Sequence, residues 1–336
     1  MPVIFDKKNV LVLGGAGFLG SNLCDELIKE CKVICIDNFL SSSPKNIDHL
    51  LSNPNFVFIN HDISIPLDLE SLVELNKFKI SFQGIQEIYN LACPMSSKHF
   101  MENREKTLLS NSYVIKNALD MALKYKSKFL QFSSSVVYGS RNDTNSKEKI
   151  KEDYLGKIDL LSERSCYDEG KRFAESFINT YHSIYNLDTK IIRIFRTYGP
   201  RMALNDDQML PDFVNDALNN KDIVIFGDEN FSSSLCYVDD VIDAAIKVIR
   251  SDSEGPFNVG SEEDLKLYDV AKKIIELTES KSKIVFSESK LFMTQLALPD
   301  TYSIRNKLGW MPVVGLEEGL KKTISNLQAN RQMTNI

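Results

Sequence analysis

Seven residues near the N-terminus, Gly14-Gly15-Ala16-Gly17-Phe18-Leu19-Gly20, constrain this chain more than any other stretch. They follow a short apolar run, Asn9–Leu13, and open a segment, Phe18–Glu30, whose apolar residues recur at helical spacing. A second apolar run, Lys32–Ile36, ends at Asp37. The order is strand, glycine turn, helix, strand. Glycines in such a turn let the chain bend tightly, let a pyrophosphate approach the backbone and let the helix lie close on the sheet, while the helix N-terminus favours an anion. A carboxylate ending the second strand can accept hydrogen bonds from both ribose hydroxyls and repels a 2′-phosphate. The pattern predicts a dinucleotide site at Gly14, Gly17, Phe18, Leu19, Gly20 and Asp37, with NAD preferred over NADP.

Similar apolar runs recur at Phe56–Asn60, Glu87–Leu91, Lys128–Phe132 and Lys190–Phe195, separated by segments long enough for helices, notably Lys106–Lys124 and Tyr167–Tyr185. Strands alternating with helices predict an α/β fold, a Rossmann-type doubly wound parallel sheet. After Gly199 the alternation breaks into a Pro- and Asp-containing stretch, a helix, the strand-like IVIF and an irregular GDENFSSS before another helix at Val238–Arg250. This predicts a smaller α/β substrate-binding subdomain interleaved with the sheet. The expected division is an NAD-binding domain of residues 1–198 plus 236–259 and a substrate subdomain of residues 199–235 plus 260–330. Ser140–Glu152 reads as a polar surface loop and Gln328–Ile336 as a frayed tail.

Composition excludes several classes. The 336 residues are 43% hydrophobic and 26% charged, which suits a globular chain with a sizeable core and not a disordered one. Scattered charges, 40 Lys+Arg against 46 Asp+Glu, leave no basic footprint for nucleic acid. The opening residues lack the pattern of a signal peptide, and no run reaches the roughly 18 apolar residues of a membrane span, so a soluble cytoplasmic protein with no membrane partner is expected. Six cysteines without a CxxC pair read as buried free thiols, and four scattered histidines point to no metal site.

A second constellation is Tyr167-Asp168-Glu169-Gly170-Lys171 at the start of an expected helix. The i,i+4 spacing puts phenol and ammonium on one face, where the cation is expected to draw the phenol's pKa down from about 10 so that it serves as a base. Ser133-Ser134-Ser135 ends the fifth apolar run, which lets Ser134 hydrogen-bond the same substrate hydroxyl. His61-Asp62-Ile63 follows the third run, at the level of an adenine contact, although an Asp there is equally a turn or helix cap.

From about Lys8 to Leu320 the chain resembles the extended short-chain dehydrogenase/reductase family of NAD-dependent epimerases and dehydratases, on the motifs GGAGFLG, HDI, NLACP, SSSVVYG, YDEGK, RIFRTYGPRM, CYVDD and FNVGS. Within it, ICIDNF, LACP, RSCYDEGKR, TYGPRM and CYVDD look most like the UDP-glucuronate decarboxylases, or UDP-xylose synthases. The resemblance implies oxidation at C4 of a nucleotide-activated sugar: Tyr167 takes the proton, Lys171 tunes it, Ser134 steadies the oxygen and NAD accepts hydride. It adds Asn38, Asp62, Ile63, Leu91, Ala92, Asn111, Tyr167, Lys171 and Tyr198 to the cofactor site. It also implies a homodimer through a four-helix bundle of the Lys106–Lys124 helix and the helix carrying Tyr167.

The sequence departs from the family pattern on the substrate side. Val136 stands where decarboxylases and dehydratases carry an acidic residue, and Val cannot transfer a proton. Ser233 replaces an Arg, Ala297-Leu298-Pro299-Asp300 replaces an Arg-Arg-Pro-Asp run, and Arg196 replaces an Asn. The expected substrate contacts are Ser135, Val136, Arg196, Arg201 and Ser233, with Arg196 the first replacement cation and Arg201, Lys221 and Lys266 behind it. These changes point to a 4-epimerase or 4-dehydrogenase outcome. The alternatives are a UDP-glucuronate decarboxylase or 4,6-dehydratase, or a non-catalytic NAD-binding sensor or scaffold, which the intact Ser134, Tyr167 and Lys171 oppose. Trp310, the methionines at Met202–Met209 and Cys93 read as packing residues.

Overall fold

Asn9–Leu13 (β1) is buried along its whole length, as a strand covered by helices on both faces must be. The nitrogen of its one polar side chain is paired internally: Asn9 Nδ2 donates to the carbonyls of Phe78 at 3.0 Å and Gly84 at 2.8 Å, while Oδ1 has no partner among the described residues. This computed structural model describes residues 7–94, 96–140, 149–206, 208–288 and 296–334, so most of the 140–152 loop lies outside the described residues.

Around β1 stand Lys32–Asp37 (β2), Phe56–Asn60 (β3), Glu87–Asn90 (β4), Lys128–Ser134 (β5), Thr189–Ile194 (β6) and a last strand at Phe257–Val259. All pair in parallel, in the order Phe257–Val259, β6, β5, β4, β1, β2, β3. The sheet is the doubly wound α/β sheet the alternation predicts. Its strand order reverses between β1 and β4, and ligands of such sheets bind outside the carboxyl ends of the strands at that crevice.

One face packs on Phe18–Leu27 (α1) and the helix Val238–Arg250, burying Leu23, Val241 and Ala245. The other packs on the helices Tyr113–Tyr125 and Ser165–Tyr185, burying Ala118, Leu119, Ala174 and Ile178. Each such Leu or Ile contributes about 1.5–3 kcal/mol by leaving water. Smaller pairings lie beyond the sheet: Ile223–Phe226 with Ile284–Ser287, Ser232–Ser233 with Leu265–Lys266, and Thr197–Tyr198 with Cys236–Tyr237. Trp310 is the packing anchor expected of it; it is 1% exposed and its Nε1 donates to the Asp240 carbonyl at 3.0 Å.

Two local expectations are corrected. The Lys106–Lys124 helix is broken into Arg104–Ser110 and Tyr113–Tyr125. At the break Asn111 Nδ2 donates to the Thr107 carbonyl at 2.9 Å and Ser112 Oγ to the Leu108 carbonyl at 3.0 Å, local bonds that compete with the helical ladder. Of the tail expected to fray, residues 328–334 instead continue a helix, Leu316–Thr334, held where Arg331 Nη2 donates to Asn215 Oδ1 at 2.6 Å, and residues 335–336 lie outside the described residues. Among the described residues no helix is long and apolar enough to cross a membrane, and no group of His, Cys, Asp and Glu is placed to hold a metal.

Candidate active site

β1 and β4 deliver the two walls of a groove of about 1010 Å³ at the switch point. Gly14, Gly17, Phe18, Leu19 and Gly20 line it from the β1 side, with Asp37 and Asn38 after β2, Asp62 and Ile63 after β3, and Leu91 and Ala92 after β4. Glycine is required here. Gly14 has φ +78°, and a Cβ on it would stand 2.9 Å from the Ala92 nitrogen, while one on Gly20 would stand 2.2 Å from the Gly14 carbonyl oxygen. Asp37 does more than face the groove: its carboxylate accepts from Ala16 N at 3.0 Å, Phe39 N at 2.8 Å and Ser42 Oγ at 2.7 Å, tying the glycine turn to the loop after β2.

The groove opens into a smaller chamber of about 190 Å³ through shared walls at Phe18, Leu19, Ser96, Met202 and Gln208. Ser134, Ser135, Val136, Tyr167, Arg196 and Tyr198 line this chamber. β5 ends at Ser134, beside the helix Ser165–Tyr185, and the Ser134 hydroxyl hydrogen-bonds the Tyr167 phenol. Lys171 is 1% exposed, one helical turn on from Tyr167, with its Nζ 5.6 Å from the phenol ring centre and donating to the Phe132 carbonyl at 3.2 Å.

The expectation for the phenol's acidity is corrected. Burial pushes the Tyr167 pKa above its usual 10, and Cys93 adds to this; the Ser134 hydrogen bond opposes both. The Lys171 charge does not outweigh that desolvation, because its ammonium stands behind the ring and donates to a backbone carbonyl.

Of the expected substrate contacts, three share the chamber and two do not. Ser135 is 2% exposed, and its hydroxyl has no hydrogen-bond partner among the described residues. Val136 packs with Cys166 and Tyr167. Arg196 follows β6, and burial, with Arg164 alongside, pulls its guanidinium down to about 10. Arg201 is drawn away to the groove, where it pairs with Asp25 on α1. Ser233 is buried in the small Ser232–Ser233 pairing, and its Oγ donates to the Ser234 carbonyl at 3.2 Å. Lys221 and Lys266 are exposed, the latter reaching Asn230 Oδ1 at 3.4 Å. Asn111 is buried behind the groove, with Nδ2 3.3 Å from the Cys93 sulfur, and the Tyr198 hydroxyl donates to the Leu316 carbonyl at 3.3 Å.

Sequence reasoning missed Arg164 and the network behind the serines. Arg164 precedes Tyr167 by one helical turn and reaches Asp168 through Nε at 3.2 Å and Nη2 at 3.3 Å. Ser133 Oγ donates to Glu175 Oε1 at 2.5 Å, Arg193 Nη2 reaches Glu175 Oε2 at 2.7 Å, and Arg193 Nη1 donates to the Tyr138 hydroxyl at 2.8 Å. That network locks the end of β5 to β6 and to the Tyr167 helix. The i,i+3 position of Arg164 relative to Tyr167 was the one available signal.

The family model described as "NAD dependent epimerase/dehydratase family" matches residues 10–260. The chain belongs to this family. It is an NAD-dependent enzyme, and the groove suits the cofactor: its glycine cradle has no room for Cβ atoms, and Asp37 closes the end of β2. Gly14, Gly17, Phe18, Leu19 and Gly20 would hold the pyrophosphate, Asp37 the ribose, and Asp62 and Ile63 the adenine.

UDP-glucuronic acid decarboxylase 1 of Arabidopsis thaliana is 34% identical over 331 residues, covering 98% of this chain and 72% of that protein. Among solved structures, an epimerase of Methanothermobacter thermautotrophicus superposes with a TM-score of 0.85 at 27% identity, covering 98% of this chain and 95% of that one. The UDP-glucuronic acid 4-epimerase of Bacillus cereus, solved with UDP-glucuronic acid and NAD, gives 0.81 at 26% identity, covering 96% and 99%.

Proposed function

We propose that this enzyme oxidises the C4 hydroxyl of a nucleotide-activated sugar and that the outcome is 4-epimerisation or 4-dehydrogenation. The observation that carries the reading is the placement of Ser134 and Tyr167 in the chamber into which the groove opens, with buried, apolar Val136 beside them. Bound NAD supplies the hydride acceptor at C4. In its phenolate form Tyr167 takes the hydroxyl proton, Ser134 hydrogen-bonds the same oxygen, and Lys171 holds positive charge behind the phenol ring. Loss of the proton creates negative charge on the substrate oxygen in a desolvated pocket, so the Ser134 donor acts where that charge develops, while the Lys171 charge favours the phenolate from behind the ring.

The family's dehydratases and decarboxylases carry an acidic residue next to the serine, the acid/base group of dehydration and a group associated with decarboxylation, and Val136 has no proton to exchange. A decarboxylase outcome is the second reading, supported by the 34% identity to a UDP-glucuronic acid decarboxylase. A non-catalytic scaffold would have no use for the Ser134, Tyr167 and Lys171 arrangement.

Proton NMR of the NAD-loaded enzyme with UDP-glucuronate and with UDP-glucose separates these outcomes. A 4-epimer or a 4-keto sugar with C6 retained is expected. UDP-xylose or a 4-keto-6-deoxy sugar would overturn the assignment of Val136 as the residue that closes those routes.

A further inference from the structure

The chamber has an uncompensated charge. Among its described lining residues there is no Asp or Glu, yet Arg164 and Arg196 both reach it. Arg164 is answered by both oxygens of Asp168. Arg196 has no hydrogen bond or ion pair from its side chain to any described residue; the recorded bond at this position is its carbonyl accepting from Cys236 N at 2.9 Å. A half-buried guanidinium with no acceptor is costly unless a ligand supplies one.

A second, independent observation points to the same place. The Ser135 hydroxyl, also in the chamber wall, is buried without a partner among the described residues. A buried donor left unmade costs roughly 1–3 kcal/mol. A guanidinium and a hydroxyl that both lack acceptors, in a chamber without acids among its described lining residues, match one chemistry: a set of anionic oxygen acceptors such as a carboxylate.

Position decides which part of the substrate carries it. Ser134 pairs with Ile194 across β5 and β6, and Arg196 lies two residues beyond that pair, so Arg196 and the Ser134–Val136 segment share one wall. If C4 sits at Tyr167 and Ser134, the group on C5 is its direct neighbour in the ring. The phosphate on C1 lies across the ring from it.

We propose that Arg196, with the Ser135 hydroxyl, is the specificity-determining pair of the chamber and takes an acidic group carried on C5 of the sugar. The inference rests on the nucleotide-sugar reading above and names the class of sugar it selects. Burial and the neighbouring Arg164 both disfavour the Arg196 charge, so an anion there relieves two penalties together.

Calorimetric titration of the NAD-loaded enzyme tests this with UDP-glucuronate against UDP-glucose, glucuronate 1-phosphate against glucose 1-phosphate, and UDP alone. The wild type is expected to bind the acidic member of each pair about 10- to 100-fold more tightly. R196M should erase that preference and leave UDP binding and NAD binding unchanged, R196K should retain part of it, and S135A should lose a few-fold. NAD titration of each variant reports that it is folded. Equal affinities within each pair for the wild type would overturn the proposal, as would R196M weakening UDP by the same factor, which would put the guanidinium on the diphosphate. Failure of the wild type to bind any of the five would instead overturn the nucleotide-sugar reading, and this inference with it.

Discussion

Lys171 lies behind Tyr167 and not against its oxygen: the ammonium stands 5.6 Å from the phenol ring centre and donates to the Phe132 carbonyl at 3.2 Å. The hydroxyl that meets the phenol oxygen belongs to Ser134. The hydrogen bond to the phenol oxygen and the nearby positive charge thus come from two residues on different elements. Y167F is expected to lower kcat by about 10²- to 10⁴-fold while NAD titration stays unchanged. K171M should lower the rate and move the rising limb of the pH–rate profile to higher pH, because a cation favouring the phenolate is gone. An unmoved limb would count against any electrostatic role for Lys171.

Asp37 binds the glycine turn and faces the groove with the same carboxylate. A 2′-phosphate brought beside it meets a like charge. NAD is expected to bind at least about 100-fold more tightly than NADP, with D37S narrowing the ratio and weakening NAD as well. Fluorescence titration of both cofactors measures this, and a wild-type ratio near unity would refute it.

At Gly20 an added Cβ would sit 2.2 Å from the Gly14 oxygen and 2.7 Å from the Gly15 Cα. Both are backbone atoms, so the turn itself must move. G20A should weaken NAD more than 10-fold and destabilise the protein by about 1–3 kcal/mol, read by cofactor titration and urea unfolding.

Leu108, Tyr113, Phe173, Ile184 and Tyr185 present exposed apolar surface on the Arg104–Ser110, Tyr113–Tyr125 and Ser165–Tyr185 helices. Pairing these helices with those of a second copy would cover them, in the bundle the resemblance implies. Sedimentation should give a dimer for the wild type and a monomer for F173D. A monomeric wild type at micromolar concentration would remove the bundle.

Glu262 accepts from Thr301 N at 2.9 Å and Thr301 Oγ at 2.6 Å, and pairs with Lys149 and Arg305. Burial alone would raise its pKa, but the Lys149 and Thr301 hydrogen bonds outweigh burial and hold the carboxyl at about 2. The unfolded chain has the ordinary carboxylate value, so this stabilisation is complete above that value and is lost as pH falls towards 2. E262Q should cost about 1–2 kcal/mol at neutral pH in urea unfolding, and the gap should narrow below the ordinary carboxylate range. A pH-independent gap would place the effect elsewhere.

The sheet and the cofactor groove were legible because their signals are local. A strand announces itself by an apolar run, and a turn that must carry φ +78° at Gly14 announces itself by its glycine. Tyr167 and Lys171 were legible for the same reason, being one helical turn apart. The broken helix at Asn111 and Ser112 was not, because side-chain bonds back to the helix compete with its ladder without disturbing the apolar period.

On the substrate side, residue type was visible but partnership was not. Arg196 and Ser233 are equally conspicuous as departures in the sequence, and Arg201 stands beside them as a candidate cation. Arg201 is neutralised by Asp25, 176 positions away, and Ser233 turns to its neighbour's carbonyl, whereas Arg196 keeps its charge for the chamber. The sequence by itself determined the dinucleotide fold and singled out the side chains proposed to react, since turn geometry and periodicity depend on near neighbours. Only the tertiary structure decided which cation remains unpaired and how far burial raises the Tyr167 phenol, since desolvation and ion pairing depend on which distant segments the fold brings together.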